Sequence, residues 1–329
     1  MPNKKQLVLN ALENRPAERV PVGFWFHYTQ NEMIPASEHP EMRKENLEGH
    51  KKFVSEFKPD FVKLMSDGYF FEPETAKFLR GVKSAKELYG LKPVSKNDSW
   101  ITDQISLVKE LTSSFGSEVL TFYNIFAPAT AFKWCIEGAD KTLARFIKED
   151  KFAVLYALSV IARNTQAVAE AAISEGKADG IYLSVQSVQD ASVGPDTYKE
   201  VISPSELSVL NSAISAGGKN ILHICGYEGA KNNLSLFKNY PANAVNFASV
   251  VEGVTLTDAK KIFGGKAVIG GFANTADGIL FTGTKEEVQA ETRRILREAG
   301  RTGIILGADC TIPRGTDLNR LEWVREAAE

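Results

Sequence analysis

The chain has 329 residues, 43% of them hydrophobic and 24% charged, with 39 basic against 41 acidic side chains. These proportions exclude a disordered, collagen-like or coiled-coil protein, and the near-neutral balance argues against nucleic acid or an anionic membrane as the main partner. A core at this length removes about three quarters of the unfolded surface from water, so no disulfide or structural metal is needed to fold, and any metal site would serve chemistry. In chain order, Met1-Pro2-Asn3-Lys4-Lys5 leads into a helix over Lys4 to Glu13 rather than into the apolar core of a signal peptide. No apolar run approaches the ~18 residues of a membrane span. Three cysteines, an odd and low number, suit a reducing compartment, and the expected location is cytoplasmic.

Eight short runs rich in β-branched and aromatic residues then recur. They are Val20 to Phe26, Phe61 to Ser66, Val119 to Phe126, Gly180 to Gln186, Asn220 to Gly226, Ala244 to Ser249, Ala267 to Phe272 and Gly303 to Ala308. Helical patterns separate them. Leu143 to Ser174 carries apolar residues at helical spacing, Pro195 sits at a first turn, and Thr284-Lys285-Glu286-Glu287 is a capping box whose helix stops at Gly300. A last helix follows Asp317. This alternation predicts an α/β fold, a single (β/α)8 TIM barrel over 1–329 with an extra N-terminal helix. A doubly wound open sheet is the alternative, but no G-x-G-x-x-G follows the first run.

A barrel requires its functional residues at the C-terminal strand ends. Those ends carry His27, Asp67, Asn124, Gln186, His223 with Cys225, Asn246, Asn274, and Asp309 with Cys310. In His223-Ile224-Cys225 the side chains at i and i+2 point to one side of the strand, and Cys310 converges on them if the sheet closes. One imidazole and two thiolates form a soft set suited to Zn2+, with a fourth position left for water or substrate. A core histidine and buried thiols are the bland alternative for the H-x-C alone; the second cysteine at another strand end favours the metal. Cys135 reads as core filler. Asp67 and His27 are candidate catalytic groups, each with a competing capping or packing role. Asn124, Gln186, Asn246 and Asn274 are candidate substrate-binding amides in the mouth. Arg314 reads as solvent-facing.

Leu222-His223-Ile224-Cys225-Gly226, Gly270-Gly271-Phe272 and Leu306-Gly307-Ala308-Asp309-Cys310 together resemble the uroporphyrinogen decarboxylase superfamily, in its branch of zinc-dependent corrinoid methyltransferases. The resemblance runs from Arg19-Val20-Pro21-Val22 to the last helix. It implies a (β/α)8 barrel, Zn2+ on His223, Cys225 and Cys310, a small thiol substrate, and a corrinoid carried by a partner protein. Departures are visible. Phe24-Trp25-Phe26-His27-Tyr28 lacks the arginine with which the decarboxylases bind porphyrinogen carboxylates, and the catalytic aspartate expected after the first strand is absent there. Asn246-Phe247-Ala248-Ser249 offers no acidic fourth zinc ligand. Three functions follow as expectations: zinc-dependent methyl transfer between a corrinoid and a thiol, decarboxylation of a uroporphyrinogen-like tetrapyrrole, or noncatalytic binding of a corrinoid or thiol. A homodimer is compatible with all three.

Overall fold

The computed structural model describes residues 3–329. Seven strands form one all-parallel sheet whose spatial order is its chain order. They are β1 (Phe61–Leu64), β2 (Leu120–Phe126), β3 (Gly180–Val185), β4 (Ile221–Ile224), β5 (Ala244–Phe247), β6 (Ala267–Phe272) and β7 (Ile304–Ala308). Nearly every strand residue is buried, as expected of a parallel sheet covered on both faces. Alternate strand residues build two apolar layers. Phe61, Phe122, Tyr182, Ile221 and Ile305 meet Trp25 on the concave side, and their neighbours in sequence pack against the surrounding helices.

The expectation of eight strands is corrected to seven. Val20 to Phe26 makes one parallel bridge, Val22 with Leu306, rather than a ladder. The segment nevertheless occupies the gap between the sheet edges. Leu306 N–H donates to Pro21 O, Gly23 N–H to Leu306 O, and Asp60 N–H, just before β1, to Val22 O. Pro21 has no N–H to give, which limits regular pairing. Asp60 reinforces the seam, accepting from the Arg19 guanidinium at 2.7 Å through each oxygen and from Val22 N–H at 2.7 Å.

Helices fall where caps and periodicity place them. Lys4–Leu12 precedes the sheet, Lys285–Ala299 begins in the Thr284/Glu287 capping box, and Leu318–Ala328 is capped by Asp317. Ala139–Ser174 is long and apolar enough to cross a membrane by composition, but 61% of its most apolar window is buried inside the protein. Asp150, at φ −157° and ψ 91°, divides it into two abutting helices. Pro195–Thr197 continues as a π-helical turn, Tyr198–Ile202, into Ser203–Ser215. Gly270 and Gly271 on β6 adopt φ of 155° and 115°, backbone that only glycine takes without strain, which accounts for the paired glycines.

Candidate metal centre

The C-terminal strand ends open on a cavity of about 620 Å3, within the usual range for small-molecule sites. His27, Lys63, Asn124, Gln186, His223, Cys225 and Cys310 all reach its wall. Strand geometry explains this convergence. Lys63 on β1, Asn124 on β2, Ser184 on β3 and His223 on β4 share the concave face, and the register aligns Ser184 with His223 and His223 with Asn246.

The donor atoms of His223, Cys225 and Cys310 lie within 4.8 Å of one another, and Cys310 Sγ is 3.6 Å from His223 Nε2. Zn–S and Zn–N bonds of about 2.3 and 2.0–2.1 Å at a tetrahedral angle would place those two atoms about 3.6 Å apart. The donor set therefore fits a zinc ion. Asn246 fixes the imidazole. Its Nδ2 donates to Ile269 O at 3.0 Å and Ala308 O at 3.1 Å, so its Oδ1 must face the ring. That oxygen accepts from Tyr182 Oη at 2.7 Å and from His223 Nδ1 at 2.5 Å. The Nδ1–H tautomer follows, and the Nε2 lone pair is left for a metal. In the metal-free chain Cys225 donates its S–H to Cys310, which together with burial pushes the Cys225 thiol well up. The same bond, against the opposing effect of burial and with help from Lys63, holds the Cys310 thiol well down.

Opposite this trio, His27 and Asp67 form a dyad. His27 Nδ1 bonds Asp67 Oδ1 at 2.7 Å, while Asp67 Oδ2 accepts from Tyr28 N–H at 2.8 Å and Thr29 N–H at 3.3 Å. Burial works against the charged Asp67 carboxylate, but the His27 bond and charge and the two N–H donors outweigh it and hold its pKa below the usual value. His27 Nε2 faces the cavity, 3.8 Å from Glu32 Oε1.

The predicted amides part company. Asn124 reaches the cavity while its Nδ2 donates to Ser66 Oγ at 2.9 Å, and Gln186 reaches it with no protein partner among the described residues. Asn246 instead lies fully buried beneath His223, its hydrogen-bonding capacity satisfied by protein. Asn274 is bonded to Thr311 O at 3.2 Å and lies off the cavity wall. Both departures from the predicted mouth positions arise because backbone carbonyls of the adjoining strand or loop capture the amide first. Arg314 pairs with Glu32 across the rim rather than pointing free to solvent. Cys135 is buried in the helix Pro128–Cys135, its thiol pushed up to about 12 by desolvation, as core filler should be.

Two cavity residues escape sequence reading. Lys63 is 4% exposed, its ammonium 4.2 Å from the Tyr182 ring centroid and 5.2 Å from that of Trp25. Burial lowers its pKa to about 8, opposed by Cys310, Cys225 and Asp67, so at pH 7 it carries its charge. Lys133, equally buried, is tied to Asp140 at 3.1 Å. The alternation of Phe61, Lys63 and Met65 was the available signal for Lys63.

A parallel sheet with a His/Cys/Cys cluster that could hold a metal ion at its C-terminal mouth defines the chain as an α/β protein of this layout. Residues 62–329 match the model for uroporphyrinogen decarboxylase (URO-D), and the chain belongs to that family. Among solved structures, a methyltransferase from Methanosarcina mazei superposes with a TM-score of 0.74 at 15% identity, covering 99% of this chain and 98% of that one. A B12-independent methionine synthase from Shewanella sp. W3-18-1, in complex with selenomethionine, superposes with a TM-score of 0.58 at 13% identity, covering 94% and 97%. These likenesses establish a shared fold. No curated protein sequence matches the chain.

Proposed function

We propose that the protein is a zinc-dependent methyltransferase that moves a methyl group between a corrinoid and a thiol. The support is the convergence of His223, Cys225 and Cys310 within 4.8 Å around an imidazole whose tautomer Asn246 dictates. A zinc ion held by these three residues would supply a Lewis acid that binds and acidifies a thiol. The protein's own groups do the rest. His27, oriented by Asp67, presents Nε2 to the cavity as acceptor for the thiol proton, and the Gln186 and Asn124 side chains line the path along which the thiol lies. A cavity of about 620 Å3 is too small to enclose a corrinoid, so the methyl carrier would be a partner protein docked over the mouth.

The test is metal analysis with mutagenesis. Protein from zinc-replete medium should hold close to one zinc per chain, and Cys225→Ser and Cys310→Ser should each lose most of it, together with methyl transfer from methylcobalamin to a thiol. Metal-free wild type, or unchanged metal content in both variants, would sink the proposal.

The family match favours a second reading, decarboxylation of uroporphyrinogen. The cavity opposes it: among the described residues Lys63 and Lys133 are the only lysines or arginines that line it, and Lys133 is already neutralised by Asp140. A substrate with eight carboxylates needs more. Turnover assays with uroporphyrinogen should therefore be negative. Tight retention of corrinoid or thiol with no methyl transfer by the zinc-loaded chain would instead indicate a binding protein.

A further inference from the structure

Lys63 poses an electrostatic problem. Its side chain, on β1, reaches the cavity, and among the described residues no ion pair or hydrogen bond engages its ammonium, whereas Lys133 on the same wall has both Asp140 and Ser187 O. The protein contacts of that ammonium are cation–π ones with Tyr182 and Trp25. The charge is therefore open to a ligand in the cavity. The other ionic groups around the cavity have partners of their own. Asp67 is bonded by His27 and two backbone N–H groups, Glu32 by Arg314, and Asp140 by Lys133, while Glu228 stands at the exposed rim.

Charge counting on the metal-loaded centre identifies what is missing. A divalent ion with two thiolates and a neutral imidazole sums to zero, so the Lys63 charge stays unbalanced. A thiol that enters and releases its proton adds one negative charge to the same cavity. We propose that Lys63 is a positioning residue whose ammonium balances the negative charge of the thiol substrate, selecting thiolate over thiol without taking part in holding the metal. This inference rests on the methyltransferase reading and assigns the residue that makes the cavity hospitable to a third thiolate.

The separation of roles yields a discriminating test. Lys63 is not a member of the ligand trio, so its loss should weaken thiol binding far more than metal binding. Wild type, Lys63→Met, Lys63→Gln and Lys63→Arg would be loaded with Co2+ and titrated with 2-mercaptoethanol, read by the cobalt visible spectrum. Co2+ affinity, from chelator competition, should stay within about threefold of wild type in all variants. Thiol affinity should fall about tenfold or more in Lys63→Met and Lys63→Gln, the order expected for one ammonium in a partly desolvated site, and should recover in Lys63→Arg. The two neutral variants keep the comparison available if one fails to fold. Unchanged thiol affinity in the neutral variants overturns the inference, as does a parallel loss of metal and thiol affinity, which would make Lys63 merely structural. A wild-type chain that takes up no Co2+ overturns the metal-centre reading and this inference with it, whereas a metal-loaded wild type indifferent to Lys63 leaves that reading standing.

Discussion

Asn246 shows how one side chain can decide the chemistry of another. Because two backbone carbonyls fix its amide, it can only accept from His223, and the ring then presents a lone pair to Cys225 and Cys310. Asn246→Ala should therefore weaken zinc binding about 10–100-fold in chelator competition, although it touches no metal. Asp67 does the same for His27 and adds a pH signature. Its folded-state pKa lies below 3.8, so its stabilisation is complete above that value and disappears as pH falls through the lowered one. In urea unfolding, Asp67→Asn should be less stable than wild type by a constant margin from pH 5 to 8, and the margin should shrink below about pH 4. The His223-x-Cys225 spacing and the strand-end position of Cys310 were legible in the sequence because period-2 geometry puts the first two on one side of their strand and closure of the sheet brings the third to them. Lys63 was legible only in part. Its spacing from Phe61 and Met65 puts all three on one face of the strand, and only β3 and β4, far along the chain, make that face the wall of a cavity.

At the level of elements, seven of the eight expected strands form, Ala267–Phe272 to the residue and the others with one or two residues trimmed from one or both ends where loops begin. The exception is instructive. Val20, Val22, Phe24 and Phe26 alternate as a strand should, and the segment takes the expected place beside β1 and β7. Pro21 removes a donor, and Gly23 packs so tightly that a Cβ there would sit 2.1 Å from the Phe61 ring, so pairing reduces to three backbone bonds. Asp60 carries the rest of this seam. Its replacement by Ala would leave the largely buried Arg19 guanidinium unpaired and Val22 N–H unsatisfied, and should cost about 3–5 kcal/mol in denaturant unfolding. Gly307 on β7 is equally constrained, since an added Cβ would lie 2.7 Å from Gly23 O, and Gly307→Ala should lower stability by about 1–3 kcal/mol in the same measurement.

Across the whole molecule, pH should act through a group far from the metal centre in sequence pattern. Glu206 is fully buried, and desolvation raises its pKa to about 7 even though Tyr198 and Tyr240 donate to it. A carboxyl raised in the folded state favours folding below its unfolded value of 4.5, and that contribution is lost as pH rises through about 7. Thermal or urea unfolding should thus show stability declining by about 3 kcal/mol between pH 5 and 8.5, with Glu206→Gln flattening the decline. Nothing in the local sequence marks this acid, because its tyrosine partners come from a π-helical turn and from a distant loop. The seam between β7 and β1 has a consequence of another kind. Backbone amides held by isolated bonds exchange with solvent more readily than those in a continuous ladder. Amide deuterium uptake should therefore be fastest, among the segments lining the concave side, from Val22 to Phe26, and this segment leads directly into His27. The proton acceptor would then ride on the most readily opened stave of the sheet, while His223 and Cys225 are anchored on one of the most protected.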